Sequence, residues 1–400
     1  MCPALDSPVH HHIYPTAHCI DDFSQLIECG ARAIQLPTAV IGQDDSTAAD
    51  VESVFGVGQR HDPFDAKLAV PQRDHFSNVI PAYRSVQHLG KIAPDRKCSA
   101  VHMNVFGLNP VVVFGTKEQC RRMLPGIVDG REKACFAVTE PNTGLNTTQL
   151  KTRAIRQGDR YVVNGQKVWI STAQVAEKIL LLARTTPLEE VKSPTRGLSL
   201  FYTDFDRKRI AVHEIEKMGR KPVDSNELFF ENFEIPLQDR LGEEGRGFEY
   251  ILHGMNPERI LIAAEAVGLG QLALSRASAY AKTRNVFNRP IGKNQAIQHP
   301  LAKSWMELEA AWLMTLSAAW QYDNDMPCGP AANAAKYLAA EAGFHACEQA
   351  VMTHGGFGYA KEFHVERYLR ESLIPRIAPV SRELIMSFIA EKVLGQPKSY

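Results

Sequence analysis

Apolar residues recur at helical spacing toward both ends of this chain and gather into short β-rich runs in its middle. Ile20, Phe23, Ile27, Ala31 and Ile34 keep a helical period until Pro37 ends it. From about residue 41 to 75 the pattern breaks into pieces bounded by Gly, Asp and Pro. Thr116 then offers a hydroxyl N-cap to a helix running from Lys117 through Met123. Residues 134–239 change character. Between Arg160 and Ile170, two β-rich runs flank Asn164-Gly165, the pattern of a type I′ hairpin. Residues 178–183 and 197–202 read as buried strands, and 227–231 as another before Pro236. From about 240 the helical period returns in Phe248, Ile251, Leu252 and Met255, then in Ile260, Ala264, Val267 and Leu272. Residues 296–322 and 331–353 continue it with many alanines, as close helix packing prefers. The expected fold class is therefore α+β. It comprises an N-terminal helical domain (1–133), a middle antiparallel β-barrel or sandwich (134–239) and a C-terminal helical bundle (240–400).

Composition narrows what such a chain does. At 400 residues and 44% hydrophobic it has ample core for several domains. Lys+Arg and Asp+Glu are both 45, so no field of one sign recruits nucleic acid or an anionic membrane. The basic run Lys217-Met218-Gly219-Arg220-Lys221 is too short for a nucleic-acid stripe. Eight cysteines without a C-x-x-C pair argue for free thiols rather than a disulfide framework or zinc cage. His10-His11-His12 reads as a solvated run, and no metal is expected. No apolar stretch of membrane-spanning length is visible, nor a signal or transit segment, nor a Ser-Lys-Leu terminus. A cytoplasmic protein is the expectation, with a mitochondrial or peroxisomal matrix the other setting.

The chemistry begins at Cys135-Phe136-Ala137-Val138-Thr139-Glu140-Pro141-Asn142-Thr143-Gly144, followed by Trp169-Ile170-Ser171-Thr172. A small-residue turn rich in amides and hydroxyls precedes, by about one hairpin, a tryptophan with a hydroxyl two residues on. Such a pair can cradle a flat, phosphorylated cofactor: loop amides hold phosphate oxygens and the Trp face lies against a ring system. Taken singly, Val-Thr-Glu-Pro is an ordinary turn between strands.

These segments resemble the FAD-binding signature of the acyl-CoA dehydrogenases, and the resemblance extends over roughly residues 100–400. It implies FAD as cofactor, with Phe136, Val138 and Thr139 at the flavin edge and pyrophosphate, Trp169 over the isoalloxazine and Ser171 near N5. Arg284-Asn285-Val286-Phe287-Asn288-Arg289-Pro290-Ile291-Gly292 with Gln295 resembles the Arg-x-x-Phe-Gly segment. In the family that segment reaches the FAD of a neighbouring subunit, which implies a homotetramer or homodimer. His354-Gly355-Gly356-Phe357-Gly358-Tyr359 resembles the late glycine loop near FAD; by itself the glycine pair is equally a helix C-cap. Ser381 and Glu383 fall at further flavin-side positions. Asn256, Arg259 and Leu145 fall at substrate-side positions, Arg259 toward the CoA portion.

A base is needed to take the α-proton of a thioester in a water-poor cavity. Many family members place a glutamate in a late Tyr-Glu-Gly-Thr-Ser loop. Here that run is Ile377-Ala378-Pro379-Val380-Ser381-Arg382, and Pro379 stands where the glutamate would be. A second subset, resembling isovaleryl-CoA dehydrogenase, supplies the base from an earlier helix. Its motif matches Asn256-Pro257-Glu258-Arg259-Ile260, so the resemblance assigns Glu258 as the base. By place alone Glu258 is equally a dipole-favoured first-turn acid, with Asn256 as N-cap and Pro257 at the first helical position. Glu383 is the second candidate base, and Glu371 reads as helix surface.

The resemblance has gaps. Leu145-Asn146 replaces a Ser-Asp pair, Met352 replaces a glutamine and reads as core packing, and Asn288 replaces the glycine of Arg-x-x-Phe-Gly. Before about 95 the chain diverges, with Gln35-Leu36-Pro37 keeping only a trace of the family's Leu-Pro turn. The implied activity is FAD-dependent α,β-dehydrogenation of an acyl-CoA to the 2-enoyl-CoA. An electron-transfer flavoprotein would be the acceptor, and the flavin 2′-hydroxyl with backbone donors would polarise the thioester. A flavin oxidase or monooxygenase on the same fold is the other enzymatic reading. A catalytically silent flavin-binding scaffold is the non-enzymatic one.

Overall fold

Thr116 does cap a helix. Its hydroxyl accepts the Gln119 N–H at 3.1 Å, and Gln119 Oε1 accepts the Thr116 N–H at 2.8 Å, closing a capping box. The computed structural model describes residues 107–399. The expectations for Ile20–Ile34, Gln35–Gly42 and His10–His12 lie outside the described residues. Helix α1 (Asn109–Phe114) precedes the capped helix α2, which runs past Met123 to span Lys117–Val128.

The middle of the chain forms β1 (Ala134–Ala137), β2 (Arg153–Gln157), β3 (Arg160–Ser171), β4 (Lys178–Arg184), β5 (Leu198–Asp204), β6 (Ile210–Glu214), β7 (Ser225–Pro236) and β8 (Arg240–Leu241). Their order is β6-β7-β3-β2-β4-β5-β8, with β1 beside β4. Pairing is mostly antiparallel, but β1 runs parallel to β4, and β2 meets β4 in parallel through Arg153 and Arg184. One face buries Tyr161, Val163, Phe201, Leu228 and Phe233.

The hairpin expected at Asn164-Gly165 is not there. The turn lies at Gly158-Asp159, between the Gln157–Arg160 pair that joins β2 to β3. Asn164-Gly165 instead makes an irregularity inside β3, between Val163 and Gly165. The physical reason is crowding. Gly165 holds φ +151°, and a Cβ there would meet the Thr152 Cα at 2.7 Å, so the backbone of the β2 entry crosses where a side chain would stand.

The last part is helical: α3 (Gly247–His253), α4 (Met255–Thr283), α5 (Gln295–Asp323), α6 (Gly329–His354), α7 (Val365–Glu371), α8 (Ile374–Ile377) and α9 (Arg382–Lys392). A small hairpin of β9 (Asn285–Val286) and β10 (Arg289–Pro290) joins α4 to α5. Phe287 and Asn288 form its turn at φ +53° and +60°, so Asn288 does keep the left-handed turn its glycine counterpart would. Ile260, Leu261, Leu308, Ala335 and Ala339 form the core of α4, α5 and α6. Gly270 and Gly343 let α4 and α6 close on each other. A Cβ on Gly270 would reach the Gly343 Cα at 2.9 Å.

The stretch Gly247–Thr283 is long and apolar enough to cross a membrane, which corrects the sequence expectation. Seventy-eight per cent of its apolar window is buried inside the fold, the behaviour of a core helix.

Candidate active site

The turn after β1 is held from below by a buried ion pair. Lys167 in β3 donates from its ammonium to the Val138 carbonyl at 2.8 Å and to Glu140 at 3.0 Å. Glu140 also accepts the backbone N–H groups of Lys151 (2.7 Å) and Thr152 (2.9 Å). Burial pushes the Glu140 carboxyl up, but Lys167 and these donors together hold it below the usual carboxylate range. Arg184 clamps the far end of the same segment, donating to the carbonyls of Thr148 (2.6 Å) and Leu150 (3.1 Å). The Val168 N–H donates to the Thr139 carbonyl at 2.9 Å, so the turn lies directly beside the tryptophan segment.

Between Lys167 and Ile170 the β3–β7 register slips. Trp169 there adopts φ +62° and remains 59% exposed, although its neighbours Val168 and Ile170 are buried. Ser171 follows, half-buried, opposite Ser225. Phe136, Val138, Thr139, Trp169 and Ser171 therefore form one group on β1, the turn after it and β3. Phe136 packs against both the bundle core and the core under α2, tying this group to the helices. Leu145 is exposed on the following loop.

A second group sits at the start of α4. The helix begins at Met255 with Gly254 as its N-cap position, so Asn256 is not the cap. The Asn256 side-chain Oδ1 instead accepts from Arg259 at 3.0 Å. Glu258 is buried, and burial lifts its carboxyl to about 8 against the pull of Arg259 and Lys336. Burial likewise lowers the Arg259 guanidinium. Lys336 of α6, buried to its tip, donates to the Val380 carbonyl at 2.5 Å. Sequence reasoning passed over both buried lysines. The signal for Lys336 was its place one helical turn from Ala332 and Ala340 in a buried alanine stripe. Lys167 shares strand parity with buried Tyr161 and Val163.

Ser381 spends its hydroxyl on the Leu384 N–H as the cap of α9, and exposed Glu383 accepts from Arg382 at 2.6 Å. Gly355 ends α6 at φ +61°, and both it and Gly356 face open space where a Cβ would stand. Arg284, at the end of α4, lies 5.6 Å over the Phe357 ring. Phe287, 94% exposed, and Gln295, also exposed, point away from the rest of the chain. These seven residues lie on the helix ends and turns of the bundle, outside the two groups described above.

Two further expectations are corrected. Glu371 is buried, not surface, because its carboxylate accepts the Arg220 N–H at 2.7 Å from the loop between β6 and β7. Met352 is 68% exposed on α6 and packs into no core of the described chain.

Comparison with known proteins follows the same division. Residues 135–233 match the family described as acyl-CoA dehydrogenase, middle domain, and 245–394 that described as acyl-CoA dehydrogenase, C-terminal domain. The chain is 40% identical to acyl-CoA dehydrogenase FadE12 of Mycobacterium tuberculosis over 292 residues, 72% of this chain and 74% of that protein. It is 32% identical to the caffeyl-CoA reductase-Etf complex subunit CarC of Acetobacterium woodii, over 74% of this chain and 77% of that one. The solved butyryl-CoA dehydrogenase of Megasphaera elsdenii superposes with a TM-score of 0.77 at 26% identity, covering 95% of this chain and 99% of that one.

Proposed function

This chain belongs to the acyl-CoA dehydrogenase family, and we propose that it removes the α-proton and β-hydride of an acyl-CoA thioester with Glu258 as the general base. It is an FAD-dependent oxidoreductase. The cradle suits FAD: an open indole face stands beside a rigid turn of amides and hydroxyls, and Gly355 and Gly356 leave their backbone approachable. Trp169, Thr139, Ser171, Phe136 and Val138 would hold it within the chain. When bound, the flavin supplies the hydride acceptor. Arg284, Phe287, Gln295, Gly355, Gly356, Ser381 and Glu383 belong to this reading as outer flavin contacts. The exposure of Phe287, Met352 and Tyr359 supports self-association, a homotetramer or homodimer, that would bring such contacts to a neighbouring copy.

The observation that carries the reading is Glu258. It is a carboxyl buried at the start of α4, raised to about 8, with Arg259 and Lys336 as the cations nearby. A base poised near the working pH, in apolar surroundings that exclude water, is what α-proton abstraction needs. Asn256 steadies Arg259, which would lie toward the CoA portion with Leu145 on the substrate side. The relative named as part of an Etf complex supports an electron-transfer flavoprotein as acceptor.

Anaerobic titration with straight, branched and aromatic acyl-CoAs, followed by flavin absorbance, tests the proposal. Bleaching by one class that Glu258→Gln abolishes, with flavin still bound, is the expected result. A loss of ~10²–10⁴ in rate is the scale for a missing base. Full bleaching in the variant would remove Glu258 from the role. A yellow protein that no thioester bleaches would move the oxidase reading to the front.

A further inference from the structure

The loop from Ala378 to Ser381, between α8 and α9, is tied to α6 at three points. Glu341 of α6 accepts from Arg376 before the loop, at 2.8 and 3.2 Å, and stands 3.5 Å from Arg382 after it. Between these two ties, Lys336 reaches the Val380 carbonyl. The outer pairs are half-exposed arginine–carboxylate contacts, sufficient to hold the ends of a short loop. The middle tie is different. It uses an ammonium with no solvent exposure, and burying that charge is costly unless other charge compensates it. A neutral donor would satisfy one carbonyl at less cost. What the ammonium adds is its field, and Glu258 faces it from α4, whose Ile260 and Leu261 share one core with Ala335 and Ala339 on either side of Lys336.

We propose that Lys336 is a positioning residue for Glu258: anchored on α6, which shares its core with α4, and held by the Val380 carbonyl, it supplies the buried cation that keeps the Glu258 carboxylate ready to accept a proton. The inference rests on the reading of Glu258 as the base. Among the described residues, these charged groups act on the pair. Glu258 sees Arg259 on its own helix and Lys336 from α6; Lys336 sees Glu258, Arg259, Glu341 and Glu383. Arg259 repels Lys336 while the three carboxylates attract it. Burial and Arg259 lower the lysine to about 8, so its support for the carboxylate fades above that pH. An opposite charge favours the ionised form, so removing the Lys336 charge raises the base's pKa and moves the acid limb of activity to higher pH.

The test compares Lys336→Gln, which keeps a neutral donor, with Lys336→Met and Lys336→Arg, each as the flavin-loaded protein. The pH dependence of kcat/KM is measured with the acyl-CoA that bleaches the wild type. Gln and Met should displace the acid limb upward by a pH unit or more, a tenfold loss on the acid side, with activity recovered in alkali; Arg should keep the wild-type limb. Glu258→Gln runs beside them. If it retains turnover, the base assignment has failed whatever Lys336 does. If it is inactive while Gln and Met share the wild-type limb, Lys336 is a strap and the inference is overturned. Where the single lysine variants do not fold, Lys336→Gln combined with Glu258→Gln decides. Recovered folding in the double variant supports the coupling, and continued unfolding overturns it.

Discussion

Lys167 lies buried beneath the turn after β1, with its ammonium 3.0 Å from Glu140 and donating to the Val138 carbonyl. The two residues are 27 positions apart in sequence and hold the candidate flavin cradle between them. Breaking a buried pair leaves a lone charge, at a cost of about 3–5 kcal/mol. Glu140→Ala should therefore lose stability on that scale and release FAD readily, as read by urea unfolding and filtration of bound flavin. The Glu140 carboxyl is held below its usual range, so its contribution is present above that range and lost as pH falls through the folded value. An acid-side loss of stability in the wild type should be shallower in Glu140→Gln. Equal acid slopes would show that the pair does not act this way.

Glu258 predicts the opposite slope. Its folded carboxyl titrates near 8, while the unfolded chain releases that proton in the ordinary carboxylate range. The folded state thus holds an extra proton between those values, and stability falls as pH rises across that window. Glu258→Gln removes the slope. Its melting temperature relative to wild type should climb from pH 5 to pH 9, by more than about 1 kcal/mol in stability. Parallel curves would mean that the carboxyl is not raised.

Trp169 separates folding from binding. Its ring is mostly exposed and its backbone is left-handed, a conformation that costs a non-glycine residue about 1 kcal/mol or more. Trp169→Gly should stay within about 1 kcal/mol of wild-type stability because relieved strain offsets added chain entropy. FAD affinity should drop at least tenfold, by about 1.4 kcal/mol or more. Gly356→Ala should behave alike, since a Cβ there meets only open space in the chain. Fluorescence titration with FAD measures both, and unchanged affinity in both would discard the cradle.

Arg220 joins the sheet to the bundle. Its guanidinium pairs with buried Glu265 of α4, its N–H donates to Glu371, and Arg370 returns to the Met218 carbonyl at 2.6 Å. Arg220→Ala should destabilise by about 3–5 kcal/mol and split calorimetric unfolding into two transitions, as the sheet and helices lose their tie. A single unshifted transition would assign the junction to apolar packing alone.

Whatever depends on near neighbours is legible along the chain. The capping box at Thr116, the apolar strands around Leu181, the alanine-rich helices and the small-residue turn before Trp169 are each written within a few adjacent positions. So is the placing of Glu258 in a helical first turn, although the helix starts two residues earlier than Asn256-Pro257 suggested. Which polar side chains are buried, and why, is set by contacts between distant segments. Asn164-Gly165 has the local chemistry of a hairpin, yet the crossing backbone at Thr152 makes it a kink within one strand. Glu371 has the pattern of a surface acid, yet the Arg220 backbone, 151 positions away, draws it inward. Lys167 and Lys336 look like ordinary surface lysines until Glu140 and the Val380 carbonyl close on them. The reason is that backbone propensity acts over one turn of chain. The free energy of a buried charge is set by partners that folding alone brings within hydrogen-bond distance.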